Sequence, residues 1–213
     1  MKTNIADIRK DYAKKDLDTK DCLDDPIAQF EIWLDEAIKS EVPEPTAMIV
    51  SSADENGRPS SRTVLLKGVE DKKFIFYTNY TSRKGKQILA NPYVSVTFFW
   101  PELERQVQIE GKALKVASDT SDKYFESRPY KSKVGAWASE QSTVINSRSV
   151  IMERFAKFSL KYLTSVPRPD HWGGFEIEAD RIEFWQGRPS RLHDRILYTK
   201  DENGEWGKNR LAP

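Results

Sequence analysis

The chain has 213 residues with 34 basic against 33 acidic side chains, enough for a buried core and within the range of one β-rich domain. So even a balance excludes the broad positive field of a non-specific nucleic-acid binder, and any anion site has to be local. A single cysteine, Cys22, excludes an intrachain disulfide and a Cys-based metal cluster, and it fits a reducing compartment.

The first 24 residues are polar and charged with little periodicity, which predicts a mobile arm ahead of a single domain spanning 25–213. That start has no apolar core of a signal peptide, and nowhere do about 18 apolar residues run together, so the sequence predicts a soluble, unexported, cytoplasmic protein with no membrane partner. Asp24-Asp-Pro is a helix start, and Ile27, Phe30, Leu34, Ala37 and Ile38 form one apolar face ending before VPEP. TAMIVSSA and SSRTVLLKG flank a turn at Asn56-Gly57, KKFIFYTN follows, and the three segments read as antiparallel strands. A short helix is predicted from Ser82 to before Pro92, then strands in YVSVTFFW and RQVQIEGKALKV. Residues 118–163 are helical in tone, with Ser118 and Ser121 placed like capping-box residues. GGFEIEA, DRIEFWQG and DRILYTKD return to strand character before an Asn203-Gly204 turn. The fold class predicted is α+β, one antiparallel β unit with peripheral helices.

Four constellations bear chemistry. Arg62 and Lys67 bracket an apolar strand (Thr63, Val64, Leu65, Leu66) and offer a phosphate a guanidinium fork and an ammonium; the same pattern also suits a strand whose basic ends discourage aggregation. Tyr77, Thr78, Arg83 and Lys84 sit where a strand meets a helix N-terminus, a place for phosphate oxygens or equally for an ordinary helix cap. Tyr124 and Arg128 are four apart on one helix face with Ser132 beyond a proline, and Gln141-Ser142 adds amide and hydroxyl groups; these suit a second anion or are loop polar residues. Finally, GRPSRLHDR follows Trp185, an aromatic placed to flank a flat ligand. An extended chain there would put Arg191, His193 and Arg195 on one side, whether toward a ligand or in a salt-bridged hairpin edge with Asp194. His171 and His193 are the only histidines and stand in no metal-ligand pattern, so no metal site is predicted. Dinucleotide and P-loop glycine motifs are missing too.

Taken in order, IRKDY, RTVLLKG, FYTNYTSRKG, NPYVSVTFFW, ERQVQIEG, YFESRP, GAWASEQS, WGGFEIE, IEFWQG, RLHDR and the terminal RLAP resemble the pyridoxamine (pyridoxine) 5′-phosphate oxidase family over nearly the whole chain. The resemblance implies an antiparallel split β-barrel that binds FMN, in a homodimer with both flavin sites at the subunit interface. The implied activity is oxidation of pyridoxamine 5′-phosphate and pyridoxine 5′-phosphate to pyridoxal 5′-phosphate. A hydride equivalent leaves the substrate C4′ for FMN N5, with O2 as electron acceptor and H2O2 released. By the same resemblance the FMN residues are Arg62, Thr63, Val64, Leu65, Leu66, Lys67, Tyr77, Thr78, Arg83, Lys84, Gln106, Gln141, Ser142, Trp185 and Arg195. Substrate residues are Lys67, Tyr124, Arg128 and Ser132 around the 5′-phosphate, Arg191, Leu192 and His193 over the pyridine ring, and Arg9 and Tyr12 from the arm. Arg191 and His193 are the expected catalytic pair. Two other readings stay open at this point: another split-barrel flavin oxidoreductase, and a non-catalytic protein that binds pyridoxal phosphate or FMN.

Overall fold

A computed structural model describes residues 11–213, and Arg9 lies outside the described residues. The Asp-Asp-Pro signal becomes a helix start in which the Asp25 carboxylate accepts the Ile27 N–H and Pro26 opens α1, Pro26–Lys39. The buried face of α1 is Ile27, Phe30, Trp33 and Ala37, while Ile38 is exposed. The expected stripe through Leu34 and Ile38 is therefore rotated by one residue. Trp33 takes the place because its ring meets Phe184 edge-on at 5.1 Å and receives the Arg105 guanidinium 4.2 Å above it.

Nine strands follow among the described residues: β1 Ala47–Ala53, β2 Pro59–Leu65, β3 Gly68–Glu70, β4 Lys73–Asn79, β5 Tyr93–Trp100, β6 Arg105–Lys115, β7 Trp172–Gln186, β8 Asp194–Lys200 and β9 Trp206–Leu211. Their order is β2-β1-β5-β6-β7-β4-β3, with β8 pairing β7 and β9. The Asn56-Gly57 turn holds, with Gly57 at φ 75°, a backbone that costs glycine nothing. GGFEIEA and DRIEFWQG, which read as two strands, form the single fifteen-residue β7. It pairs antiparallel with β4 through its first half and with β8 through its last.

The helices are α2 Arg83–Ala90, α3 Ser118–Ser127, α4 Tyr130–Ala138 and α5 Arg148–Lys161. Ser82 caps α2, its hydroxyl accepting the Gly85 N–H at 3.2 Å. Ser118 does not cap α3, whose N-cap is Ala117 without a side-chain bond. Ser121 is instead buried, and its hydroxyl accepts the Gly174 N–H. Arg128-Pro129 separates α3 from α4 as proline geometry requires.

The described residues divide into two compact units. The first contains residues through Ile49, Ser95–Glu110 and Ala179–Pro213. Its core is aromatic, with Phe30 against Phe98 at 5.0 Å and Phe184 against Tyr198 at 5.7 Å. The second contains Val50–Val94 and Gly111–Glu178, with Phe76 on Phe175 at 5.7 Å and a cluster of Phe125, Val134, Val166 and Trp172 under the helices. Each such side chain contributes about 1.5–3 kcal/mol by leaving water, so these aromatic residues are core.

Candidate functional site

The second unit contains a cavity of about 830 Å³, within the range of small-molecule and cofactor sites. One wall is the end of β2 with Arg62, Thr63, Val64 and Leu65, continued by Lys67; another is Tyr77 and Thr78 of β4 with Arg83 and Lys84 of α2. The helical region closes it with Tyr124, Arg128, Ser132, Gln141 and Ser142. Three of the constellations separated in sequence are thus one site. Leu66, just past β2, is the exception, since it is buried in the core and does not line the cavity.

Two cationic centres face this space, and among the described residues neither has an acidic partner. At the first, the Lys84 ammonium donates to Thr78 Oγ1 at 2.9 Å, to Gln141 Oε1 at 2.6 Å and to Ser82 Oγ at 3.4 Å. The Arg62 guanidinium donates to the Val50 carbonyl, the Ser52 and Ser60 hydroxyls and Gln87 Oε1. Burial, with Arg62 as the second cause, lowers Lys84 to about 8. Burial and neighbouring Arg83 likewise hold Arg62 below the usual guanidinium value. Neutral oxygens orient these cations but leave their charge uncompensated, which is the condition an anion relieves.

The second centre is Arg128, at the C-terminal end of α3. Its guanidinium carbon lies 4.5 Å over the Trp172 ring and 5.5 Å from that of Phe125, and its Nη1 is buried with no hydrogen-bond partner. An orphaned guanidinium nitrogen of this kind wants an oxygen ligand. The same cavity holds a parallel aromatic stack that includes the Trp172 ring under Arg128: Tyr77 on Tyr124 at 3.8 Å and Tyr77 on Trp172 at 5.5 Å, tilted by 10° and 9°. Burial raises the Tyr77 hydroxyl to about 12, so it stays a neutral donor at any working pH.

Trp172 was not foreseen as a site residue, because a buried tryptophan in a β-rich chain reads as core. The glycines after it were the available signal. A Cβ at Gly174 would lie 2.8 Å from Tyr77 Cε1, and one at Gly173 would lie 2.2 Å from the Tyr80 hydroxyl. These two positions leave room for Tyr77 and Tyr80 to pack against β7.

The remaining predicted residues belong to the first unit. Arg191 and His193 do not lie on an extended chain as expected. Pro189–Arg191 form a 3-10 turn with Ser190 and Arg191 at φ 56° and 62°, a left-handed backbone that breaks the alternation of sides. His193 Nδ1 accepts the Arg188 N–H at 3.1 Å, so when the ring is neutral its proton is on Nε2. Burial, then Arg191, lowers the His193 pKa. Trp185 packs 4.6 Å from His193, with Tyr12 edge-on to Trp185 at 5.7 Å.

The hairpin-edge salt bridge with Asp194 also exists, but its partners are Arg188 and Arg210. Arg195 makes a bidentate pair with Glu183, at 2.7 and 2.9 Å. Gln106 is half-buried on β6, and Leu192 is exposed. Among the described residues, no group of three or more metal-ligating side chains is present.

A family model described as pyridoxamine 5′-phosphate oxidase matches residues 34–162, and one described as the pyridoxine 5′-phosphate oxidase C-terminal dimerisation region matches 172–213. The chain belongs to the pyridoxamine 5′-phosphate oxidase family. A pyridoxine/pyridoxamine 5′-phosphate oxidase from Chromobacterium violaceum is 62% identical over 213 residues, covering all of both chains. One from Haemophilus influenzae is 56% identical over 209 residues, 98% of this chain and 99% of its own. Among solved structures, PhzG from Burkholderia lata is 31% identical with a TM-score of 0.86, covering 91% of this chain and 95% of its own. An FMN-binding, pyridoxamine 5′-phosphate oxidase-related protein from Nostoc punctiforme, 15% identical, has a TM-score of 0.71 over 89% and 98% of the two chains. The α+β split-barrel fold is that of the pyridoxamine 5′-phosphate oxidase family, an enzyme family.

Proposed function

We propose that this chain oxidises pyridoxamine 5′-phosphate and pyridoxine 5′-phosphate to pyridoxal 5′-phosphate, as its named relatives imply. The observation that carries the reading at residue level is the pair of cationic centres in one cavity, Lys84 with Arg62 and Arg128 with its orphaned Nη1, together with a flat aromatic wall. Two phosphates need two such grips, one for the cofactor and one for the substrate.

The residues present fit FMN. Lys84, Arg62 and Arg83 would hold its phosphate and ribityl end, with Thr63, Val64, Leu65, Tyr77 and Thr78 along the ring and Gln141 and Ser142 beside them. Bound FMN would supply two-electron redox chemistry for oxidation at the substrate C4′, with O2 as the final acceptor and H2O2 as its product. The protein's own part is position. Arg128, with Lys67, Tyr124 and Ser132, fixes the substrate through its non-reacting phosphate, and that binding energy orients the reacting carbon. Arg191 and His193 face the pyridine ring, His193 as a donor through Nε2 rather than as a base.

We place the FMN sites at a homodimer interface, completed by Gln106, Trp185 and Arg195. The match of 172–213 to a dimerisation region supports the dimer. Among the described residues no helix is long and apolar enough to cross a membrane, and the lone cysteine is compatible with the cytoplasm.

The test is an absorbance spectrum of the purified protein, followed by addition of either phosphate ester under air. Flavin bands with aldehyde and peroxide formed in equal amounts are expected. A flavin-loaded protein that turns over neither ester would leave the binding-only reading in its place.

A further inference from the structure

Residues 12–17 run along the first unit as a strap, and one side chain takes up its backbone. Both the Ala13 and Lys14 N–H groups donate to Glu104 Oε2, at 2.9 and 3.0 Å. Glu104 is 3% exposed and lies in a left-handed turn at φ 55°, between β5 and β6. A buried carboxylate is costly unless charge-assisted hydrogen bonds satisfy it, and here two of those bonds come from the strap. The backbone of the same residue has a second partner, since the Glu104 carbonyl accepts the Gly187 N–H at 2.7 Å and Gln186 Nε2 at 3.2 Å. Glu104 therefore joins the strap, through its side chain, to the start of the 187–193 loop, through its carbonyl.

The strap's far end is fastened as well. The Leu17 N–H donates to Asp194 Oδ2 at 3.1 Å, and Arg188 Nη1 donates to the Lys15 carbonyl at 3.2 Å. What the strap delivers is Tyr12, edge-on to Trp185 and 6.0 Å from His193 between ring centroids. Its seat depends on Gly187, where an added Cβ would lie 2.7 Å from Tyr12 Cβ and Cγ.

We propose that Glu104 is a positioning residue for substrate binding: its carboxylate clasps residues 13 and 14 and so seats Tyr12 against Trp185 and His193. This rests on the reading of Arg191, His193 and Tyr12 as the substrate-facing group. Glu104 does not itself touch substrate; it acts through the strap.

The experiment compares Glu104→Ala, Glu104→Gln and Gly187→Ala with the wild-type holoenzyme. Trypsin cleavage after Lys14 and Lys15, followed by mass, reads the seating of the strap independently of activity. Loss of two charge-assisted bonds predicts cleavage faster by about tenfold or more in Glu104→Ala, and less in Glu104→Gln, which keeps an acceptor oxygen. KM for pyridoxine 5′-phosphate rises by about tenfold in Glu104→Ala, with kcat changed less and flavin content unchanged. In a Tyr12→Ala background the Glu104→Ala effect on KM disappears, because both changes remove the same seat. Gly187→Ala reproduces the KM effect with the carboxylate intact.

Unchanged cleavage in Glu104→Ala, or a KM effect that adds in full to that of Tyr12→Ala, would overturn the clasp. If the wild type turns over neither ester, the proposed activity fails, while the cleavage comparison still decides whether Glu104 holds the strap.

Discussion

The Arg128 guanidinium lies 4.5 Å above the Trp172 ring, with one of its nitrogens buried and unbonded. Stacking fixes the plane of the fork, and the orphaned nitrogen leaves it an oxygen to find. Arg128→Lys keeps the charge but loses both the plane and the second donor. KM for pyridoxine 5′-phosphate should rise by roughly tenfold to a hundredfold, with flavin content intact. Steady-state kinetics with the phosphate ester, set against dephosphorylated pyridoxine, check this, because the phosphate-free compound should not distinguish the two proteins.

Lys84 carries a pH prediction with a definite sign. Buried beside Arg62, it titrates near 8 without a ligand, and a bound phosphate raises that value again. Flavin binding above pH 8 then requires proton uptake, so FMN affinity measured by fluorescence quenching should fall as pH climbs from 8 to 9.5. Stability of the flavin-free protein should move the other way. The unfolded lysine holds its proton up to about 10.4, so between 8 and that value the unfolded state binds more protons and folding gains with pH. Lys84→Met should stabilise the flavin-free protein by about 1–3 kcal/mol while abolishing tight FMN binding; thermal melts with and without FMN test both halves.

His193 should be neutral with its proton on Nε2 at pH 7, because Nδ1 is occupied as an acceptor by the Arg188 N–H and burial lowers its pKa. Nitrogen-15 spectra of the ring decide this directly, and a protonated Nδ1 at neutral pH contradicts it. The lowered pKa also means that its contribution to stability is present above about 6.5 and is lost as pH falls through the folded value. In the same window the loop bond to Arg188 breaks, so activity should fall on the acid side.

Gly174→Ala tests the aromatic wall. The new methyl would meet Tyr77 at 2.8 Å and Val116 at 2.9 Å, and overpacking at such a site costs about 1–3 kcal/mol. A lower melting temperature and weaker binding of both FMN and substrate are expected, since Tyr77 stacks on Tyr124 and Trp172 together.

Local chemistry made much of the fold legible. Asp25-Pro26, Asn56-Gly57 and Ser82 each mark an element boundary with a hydrogen bond or a backbone angle that few other residues supply. What stayed hidden depended on long-range partners. The rotated face of α1 follows from Trp33 meeting Phe184, more than a hundred positions later in the chain. The continuity of β7 follows from pairing with two different strands. In the cavity, Arg62, Lys84 and Arg128 were readable as anion ligands, but local spacing could not reveal that they share one space. Nor could it show that a core-like tryptophan is Arg128's platform, or that Ser190 and Arg191 turn left-handed and spoil a simple alternation of sides.

Cys22 gives the molecule a built-in reporter. It is 6% exposed, its thiol pKa is pushed up by burial, and Lys208 and Tyr198 donate to the carbonyls of Cys22 and Leu23. A thiol reagent can reach it only when this stretch lifts away from β8 and β9. Being the chain's one cysteine, it would turn the rate of alkylation into a clock for how often the N-terminal segment lets go, with no label introduced and no residue changed.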